Sequence, residues 1–130
     1  MTALLLDTHA LHLWSSEPGQ LSEAAARALD GADELAVSDI TWLELARLGV
    51  GGRVRTQVPL RRWLEGLARE VRTIPMSPAI AAAAMTLPSR FPRDPADRLI
   101  WATAVEHGLR LVTKDTGLRA FDARGDVVVW

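Results

Sequence analysis

The chain has 130 residues, 48% hydrophobic and 24% charged, with a formal net charge of -1 and no cysteine. A single domain of this size, spanning 1–130, buries roughly two-thirds of the surface that its unfolded form exposes. The composition excludes disulfides, Cys-ligated zinc and thiol catalysis, and no apolar run reaches the roughly 20 residues needed to span a bilayer.

Short apolar runs alternate with helical patterns along the chain. The first run, Leu4–Leu6, precedes helical patterns at Ala10–Trp14 and Glu23–Leu29, and the second, Leu35–Val37, precedes others at Trp42–Leu48 and Leu60–Glu70. A third run at Val71–Ile74 leads to helices at Ala79–Leu87 and Ala96–His107. A fourth at Leu111–Thr113 leads to a short helix near Leu118, and a fifth lies at Val127–Val129. Strands separated by helices predict an α/β fold with a parallel sheet covered on both faces. The punctuation agrees: Asp30-Gly31, His107-Gly108 and Arg124-Gly125 follow helices, while Pro59, Pro78 and Pro95 fall near helix starts. Gly49–Pro59 has no period and is the best candidate for a mobile loop. The segment MTALLLDTHALHLW lacks the basic region of a signal peptide and carries Asp7 within its apolar stretch, so a cytoplasmic location is expected.

Four carboxylates, Asp7, Glu44, Asp97 and Asp115, each sit just after a strand-like run or near a helix start. If the runs at Leu4, Leu35 and Leu111 are neighbours in one parallel sheet, their carboxyl ends share an edge, where ligand sites of open α/β sheets form. Each acid also has a structural explanation. Asp7 suits an N-cap, Thr41-x-x-Glu44 matches a capping box, Asp94-Pro95-Ala96-Asp97 reads as a helix start, and Asp115-Thr116-Gly117 reads as a turn. A cap contributes about 1 kcal/mol, whereas two carboxylates about 4 Å apart repel by several kcal/mol at an effective dielectric of 20. Convergence of all four therefore calls for a cation or raised pKa values. Hard oxygen donors favour Mg2+ or Mn2+, and ions held this way support phosphoryl hydrolysis without a protein nucleophile.

The strings LLLDTHALHLW, SDITWLELARL, RDPADRLIWATAVEHGLRLVTKD and VVVW, in this order, resemble a PIN domain, specifically the VapC-type toxins of bacterial toxin-antitoxin pairs. This resemblance covers essentially the whole chain. It implies a three-layer α/β sandwich with a five-stranded parallel sheet in the order 3-2-1-4-5. It maps the catalytic and metal-binding acids onto Asp7 at the end of strand one, Glu44 in the helix after strand two, Asp97 opening the helix before strand four, and Asp115 after strand four. It further implies an endoribonuclease dependent on Mg2+ or Mn2+, a homodimer, and a VapB-like antitoxin whose tail blocks the acidic cleft.

Around these acids, Asp94 is read mainly as a cap, while Thr8 and Thr113 suit either a hydrogen bond to a carboxylate or plain burial. Arg98 is placed to pair with a neighbouring carboxylate or to reach substrate. His9 and His12 fit helix packing or substrate contact better than magnesium ligation, and His107 reads as a C-terminal dipole partner. Of the 15 basic residues 14 are Arg, Lys114 being the only Lys. Any basic surface must therefore be local, and Arg53, Arg55, Arg61 and Arg62, with Arg69 and Arg72, suit RNA phosphates or a solvated face. Trp14, Trp42 and Trp101 read as core or interface. The small-residue run Ala79–Met85 is a candidate contact for a second subunit or an antitoxin, with ordinary burial as the alternative.

Two classes of function remain distinct on these residues: a metal-dependent endoribonuclease, and a non-catalytic module whose acidic cleft binds a basic partner segment. A phosphatase of the D-x-D type is disfavoured because His9 stands where the second Asp belongs.

Overall fold

The computed structural model describes residues 1–52 and 57–130. Along the chain run β1 (Ala3–Leu6), α1 (Thr8–Ser16), a 3-10 turn (Pro18–Gln20), α2 (Glu23–Gly31), β2 (Glu34–Ser38), α3 (Ile40–Val50) and α4 (Leu60–Ala68). They are followed by β3 (Arg72–Ile74), α5 (Pro78–Met85), α6 (Pro95–Glu106), β4 (Arg110–Val112), α7 (Thr116–Phe121) and β5 (Val128–Val129). The five strands form one parallel sheet in the order β3-β2-β1-β4-β5. The three-layer sandwich and its strand order match the expectation from the sequence.

Alternation of side chains along β1 divides the core. Leu4 and Leu6 face one side, packing with Ala10 and Leu11 of α1, Ala25 and Leu29 of α2, Leu45 of α3 and Leu67 of α4. Leu5 faces the other, with Ala36, Ile74 and Leu111 of the neighbouring strands and with Ile80, Ala84, Ile100, Trp101 and Leu118 of α5, α6 and α7. A strand with helices on both faces must be apolar at every position, which is why β1 reads LLL without interruption. On the second face Phe91, Trp101 and Phe121 form an edge-to-face triad with ring centroids 4.8 to 5.4 Å apart. Truncating fully buried Leu5 to Ala would open a cavity at the middle of the sheet, at a cost of roughly 2–5 kcal/mol.

Local chemistry explains most element starts. Ser22 caps α2 through the Ala25 N–H and Ser77 caps α5 through the Ile80 N–H. The capping box expected at Thr41-x-x-Glu44 does not form. Helix α3 begins at Ile40, so Thr41 is already inside it, and its hydroxyl meets that of Thr8 at 3.1 Å. Gly108 and Gly125 take positive φ values of 63° and 71° after α6 and α7, whereas Gly31 is the last residue of α2. Gly49 and Val50 belong to α3. A Cβ at Gly49 would lie 2.8 Å from Leu60 Cδ1, so glycine permits the close approach of α3 and α4. Of the remainder of Gly49–Pro59, residues 53–56, with Arg53 and Arg55 among them, lie outside the described residues. Among the described residues no helix is long and apolar enough to cross a membrane.

The chain leaves β1 toward β2 and β3, then crosses to β4 and β5 on the other side. The carboxyl ends of β1 and β4 therefore flank the point where the direction of winding reverses, where a crevice opens in sheets of this kind.

Candidate active site

Asp7 is pinned at that crevice. Its backbone N–H donates to the Val112 carbonyl of β4 at 3.1 Å, and its carboxylate, 9% exposed, is held by two donors. The Ala10 N–H donates to Oδ1 at 2.7 Å, and the Thr113 hydroxyl donates to Oδ2. Thr113 is wholly buried, and its oxygen also accepts the Asp115 N–H at 3.0 Å. Asp115 in turn caps α7 by accepting the Leu118 N–H at 2.9 Å. A methyl at Gly117 would lie 3.1 Å from Asp115 Oδ1 and 3.2 Å from Pro92 Cγ, so this glycine leaves room for the carboxylate.

Glu44 enters from α3, where Thr8 donates to its Oε1 at 2.5 Å. A hydroxyl donates once, so with Thr8 committed to Glu44 the Thr41 hydroxyl is the donor to Thr8. Asp97 lies in the first turn of α6, which Asp94 caps through the Ala96 and Asp97 N–H groups. The Asp97 carboxylate accepts no hydrogen bond from the described residues.

All four acids line one open cleft of about 840 Å³, together with Thr8, His9, His12, Glu17, Arg47 and Lys114. Their mutual repulsion is felt. Burial pushes the Asp7 carboxyl up to about 6 against the opposing hydrogen bonds of Thr113 and Ala10, with the Asp115 and Glu44 charges adding to the rise. Asp97 is pushed up to about 7, by burial and then by Asp94, Asp115, Glu44 and Asp7. Two carboxyls that resist ionisation side by side are what a divalent cation would relieve, and the donors are oxygens suited to a hard ion. Among the described residues no group of three or more His, Asp or Glu side chains stands ready to hold a metal ion. Asp7, Glu44 and Asp115 each accept a hydrogen bond, from Ala10 and Thr113, from Thr8 and from Leu118.

Other residues singled out from the sequence divide. Thr8 and Thr113 hydrogen-bond carboxylates, and Asp94 caps. Arg98 departs from expectation: it neither pairs with a carboxylate nor lines the cleft. Its Nε and two terminal nitrogens donate to the carbonyls of Pro92, Ala84 and Phe91 at 3.0, 3.2 and 3.4 Å, and it lies over the Phe91 ring. Arg61 and Arg62 border a separate open depression on α4 with Arg69, and Arg61 is paired with Glu65 at 2.7 Å. Arg72 pairs with Glu34 at 3.2 Å. Trp14 and Trp42 pack against the first core and Trp101 lies within the second, so none of the three lines the cleft. On α5, Ile80 and Ala84 are buried and Met85 is 64% exposed.

His9 and His12 both line the cleft. Burial and then the Lys114 charge hold His9 below its usual value, and the buried Nδ1 of His12 has no hydrogen-bond partner among the described residues. Sequence reasoning missed Arg47 and Glu17, and gave Thr41 a capping role where its hydroxyl instead meets Thr8. Arg47 lies three positions after Glu44, one helical turn along the same face, a spacing that would have found it.

A family model described as PIN domain matches residues 4–124. The chain is 53% identical to ribonuclease VapC22 of Mycobacterium tuberculosis (strain ATCC 25618 / H37Rv) over 130 residues, all of both chains. Among solved structures, a toxin-antitoxin complex from Klebsiella pneumoniae superposes with a TM-score of 0.70 at 27% identity, covering 98% of this chain and 96% of that one. VapBC-1 from nontypeable Haemophilus influenzae gives 0.71 at 19% identity with the same coverage, a likeness of fold.

Proposed function

The chain belongs to the PIN domain family and is of the VapC type, and from that premise we propose that it is an endoribonuclease dependent on Mg2+ or Mn2+ that acts as the toxin of a toxin-antitoxin pair. The observation that carries this proposal is the delivery of Asp7 and Asp115 from the N-caps of α1 and α7, Glu44 from α3 and Asp97 from α6 into one cleft. Two of these carboxyls sit well above their ordinary range there. The ribonuclease name of the relative at 53% identity supports the same activity.

These four acids would hold the ion. When bound, it supplies Lewis-acid charge for water activation and for the leaving oxygen of the phosphodiester. The chain's own groups orient the acids. Thr113 and the Ala10 N–H fix both oxygens of Asp7, Thr8 fixes Glu44, and the α7 amino terminus fixes Asp115. Asp97, without a hydrogen-bond donor among the described residues, presents its oxygens to the cleft.

As partners we propose RNA as substrate, a VapB-like antitoxin occupying the acidic cleft, and a second copy of the chain in a homodimer. The Klebsiella pneumoniae neighbour, a toxin-antitoxin complex, supports the antitoxin. We place the protein in the cytoplasm, where its substrate is. The test is cleavage of RNA by purified protein with Mn2+ or Mg2+ added, after chelation, and with Asp7→Asn. Activity should require both the ion and Asp7. Cleavage that survives chelation or the substitution would overturn the proposal, and manganese binding without any cleavage would favour the non-catalytic module.

A further inference from the structure

A cleft with five carboxylates, Glu17 included, repels the RNA it is to cut. One divalent ion offsets two charges, so further neutralisation must come from the protein. Two basic side chains line this cleft, Arg47 on α3 and Lys114 in the turn between β4 and α7. Both are exposed, and neither forms an ion pair or side-chain hydrogen bond with the described residues, although acids surround them. Arg61 on α4 is different, its guanidinium already committed to Glu65. Arg47 and Lys114 are thus cations whose charge is uncommitted at the place where a polyanion must arrive. Lys114 is also well anchored, because Thr113 before it and Asp115 after it are joined by the 3.0 Å bond from the Asp115 N–H to the Thr113 hydroxyl. Its side chain leaves from a fixed backbone, which lowers the entropic cost of holding a phosphate.

We propose that Lys114 and Arg47 are the phosphate-binding residues of the cleft, contacting backbone phosphates of the RNA next to the bond that is cut. This rests on the endoribonuclease reading above. Arg47 offers a planar fork suited to two phosphate oxygens, Lys114 a point charge.

The test is steady-state cleavage of a single-stranded RNA with Mn2+ over a series of salt concentrations, using wild type, Lys114→Gln, Arg47→Gln and, as a control outside the cleft, Arg119→Gln. Removing either cation should raise KM by roughly tenfold with kcat little changed. It should also flatten the dependence of log kcat/KM on log salt by about 0.7 for each phosphate no longer neutralised. Lys114→Arg should restore the slope, and Arg119→Gln should keep it. As Lys114 is the only lysine, an amine-reactive reagent should label it and the α-amine alone, and RNA should protect it. Unchanged KM and slope in both cleft variants of an active enzyme would overturn the proposal. If wild type cleaves no RNA, the endoribonuclease reading fails instead, and the salt slopes of RNA binding measured by fluorescence anisotropy decide this one.

Discussion

Thr113 and Asp7, 106 positions apart in the chain, are joined by a buried hydrogen bond from the threonine hydroxyl to the aspartate carboxylate. That hydroxyl also accepts the Asp115 N–H, so one side chain ties together the acids that end β1 and β4. Thr113→Val should release both, at a cost of roughly 1–3 kcal/mol for the buried groups left unpaired. Cleavage should fall by roughly 10–100-fold, and Thr113→Ser should recover most of it. Activity and melting temperature measured on the two variants check this; a loss in Thr113→Ser that is absent from Thr113→Val would assign the role to the methyl group instead.

Asp7→Asn should abolish cleavage and stabilise the metal-free protein. The buried carboxyl is pushed up from 3.8 to about 6, so ionising it at neutral pH works against the fold by on the order of 3 kcal/mol. The amide keeps the shape without the charge, and the melting temperature should rise by roughly 10 °C. A lower melting temperature would show that the charge is not a burden.

The same shift fixes a pH window. Between 3.8 and about 6 the folded state keeps the Asp7 proton that the unfolded state gives up. This contribution to stability therefore falls as pH rises through that range. The stabilising effect of Asp7→Asn should vanish below pH 3.8 and be complete above about 6. Urea unfolding of both proteins across pH gives the difference directly, and a difference independent of pH would contradict it. Because the acids must lose protons to bind an ion, manganese affinity should rise from about pH 5 to about 7.5, with Asp97 at about 7 contributing to the upper part.

Arg98→Met should destabilise without touching the chemistry. It strips donors from the carbonyls of Ala84, Phe91 and Pro92, a loss of roughly 2–3 kcal/mol. Specific activity of the folded fraction, measured well below the melting temperature, should match wild type. A fall in kcat with an unchanged melting curve would return Arg98 to the active site.

Gly117→Ala sets a methyl group between the Asp115 carboxylate and the Pro92 ring. The ring is stiff, so the carboxylate yields. A drop in kcat of roughly tenfold is expected from misplacing one acid by a few tenths of an ångström, measured alongside circular dichroism to confirm the fold. Full activity would show that Asp115 has slack.

Much of this was legible in the chain. Strands covered on both faces must be uniformly apolar, so the runs at Leu4, Leu35 and Leu111 stand out, and each predicted run starts or ends within a residue or two of its strand. The four acids are found because each follows such a run or opens the next helix. Asp39, just after β2, looks as eligible as Glu44 to the eye, but its carboxylate accepts the Met76 N–H at 3.0 Å and lies outside the cleft. What stayed hidden depends on direction and register. Arg98 follows Asp97 in sequence, yet successive helix positions point about 100° apart, so adjacency suggested a partnership that the helix forbids. For Thr113 the sequence left a carboxylate bond and plain burial open; which carboxylate it takes follows from the register Leu6↔Val112, which sets Thr113 beside Asp7.

Glu44 rides on α3, whose Leu45 belongs to the core on one face of the sheet, whereas Asp97 rides on α6, whose Ile100 belongs to the core on the other. The cleft is a seam between two separately packed layers, completed by residues from position 7 to position 115. A chain emerging from the ribosome carries only fragments of it until β4 has been made and docked beside β1. Synthesis itself thus delays the assembly of the cleft, and a product truncated before Asp115 is predicted to be harmless to the cell that makes it.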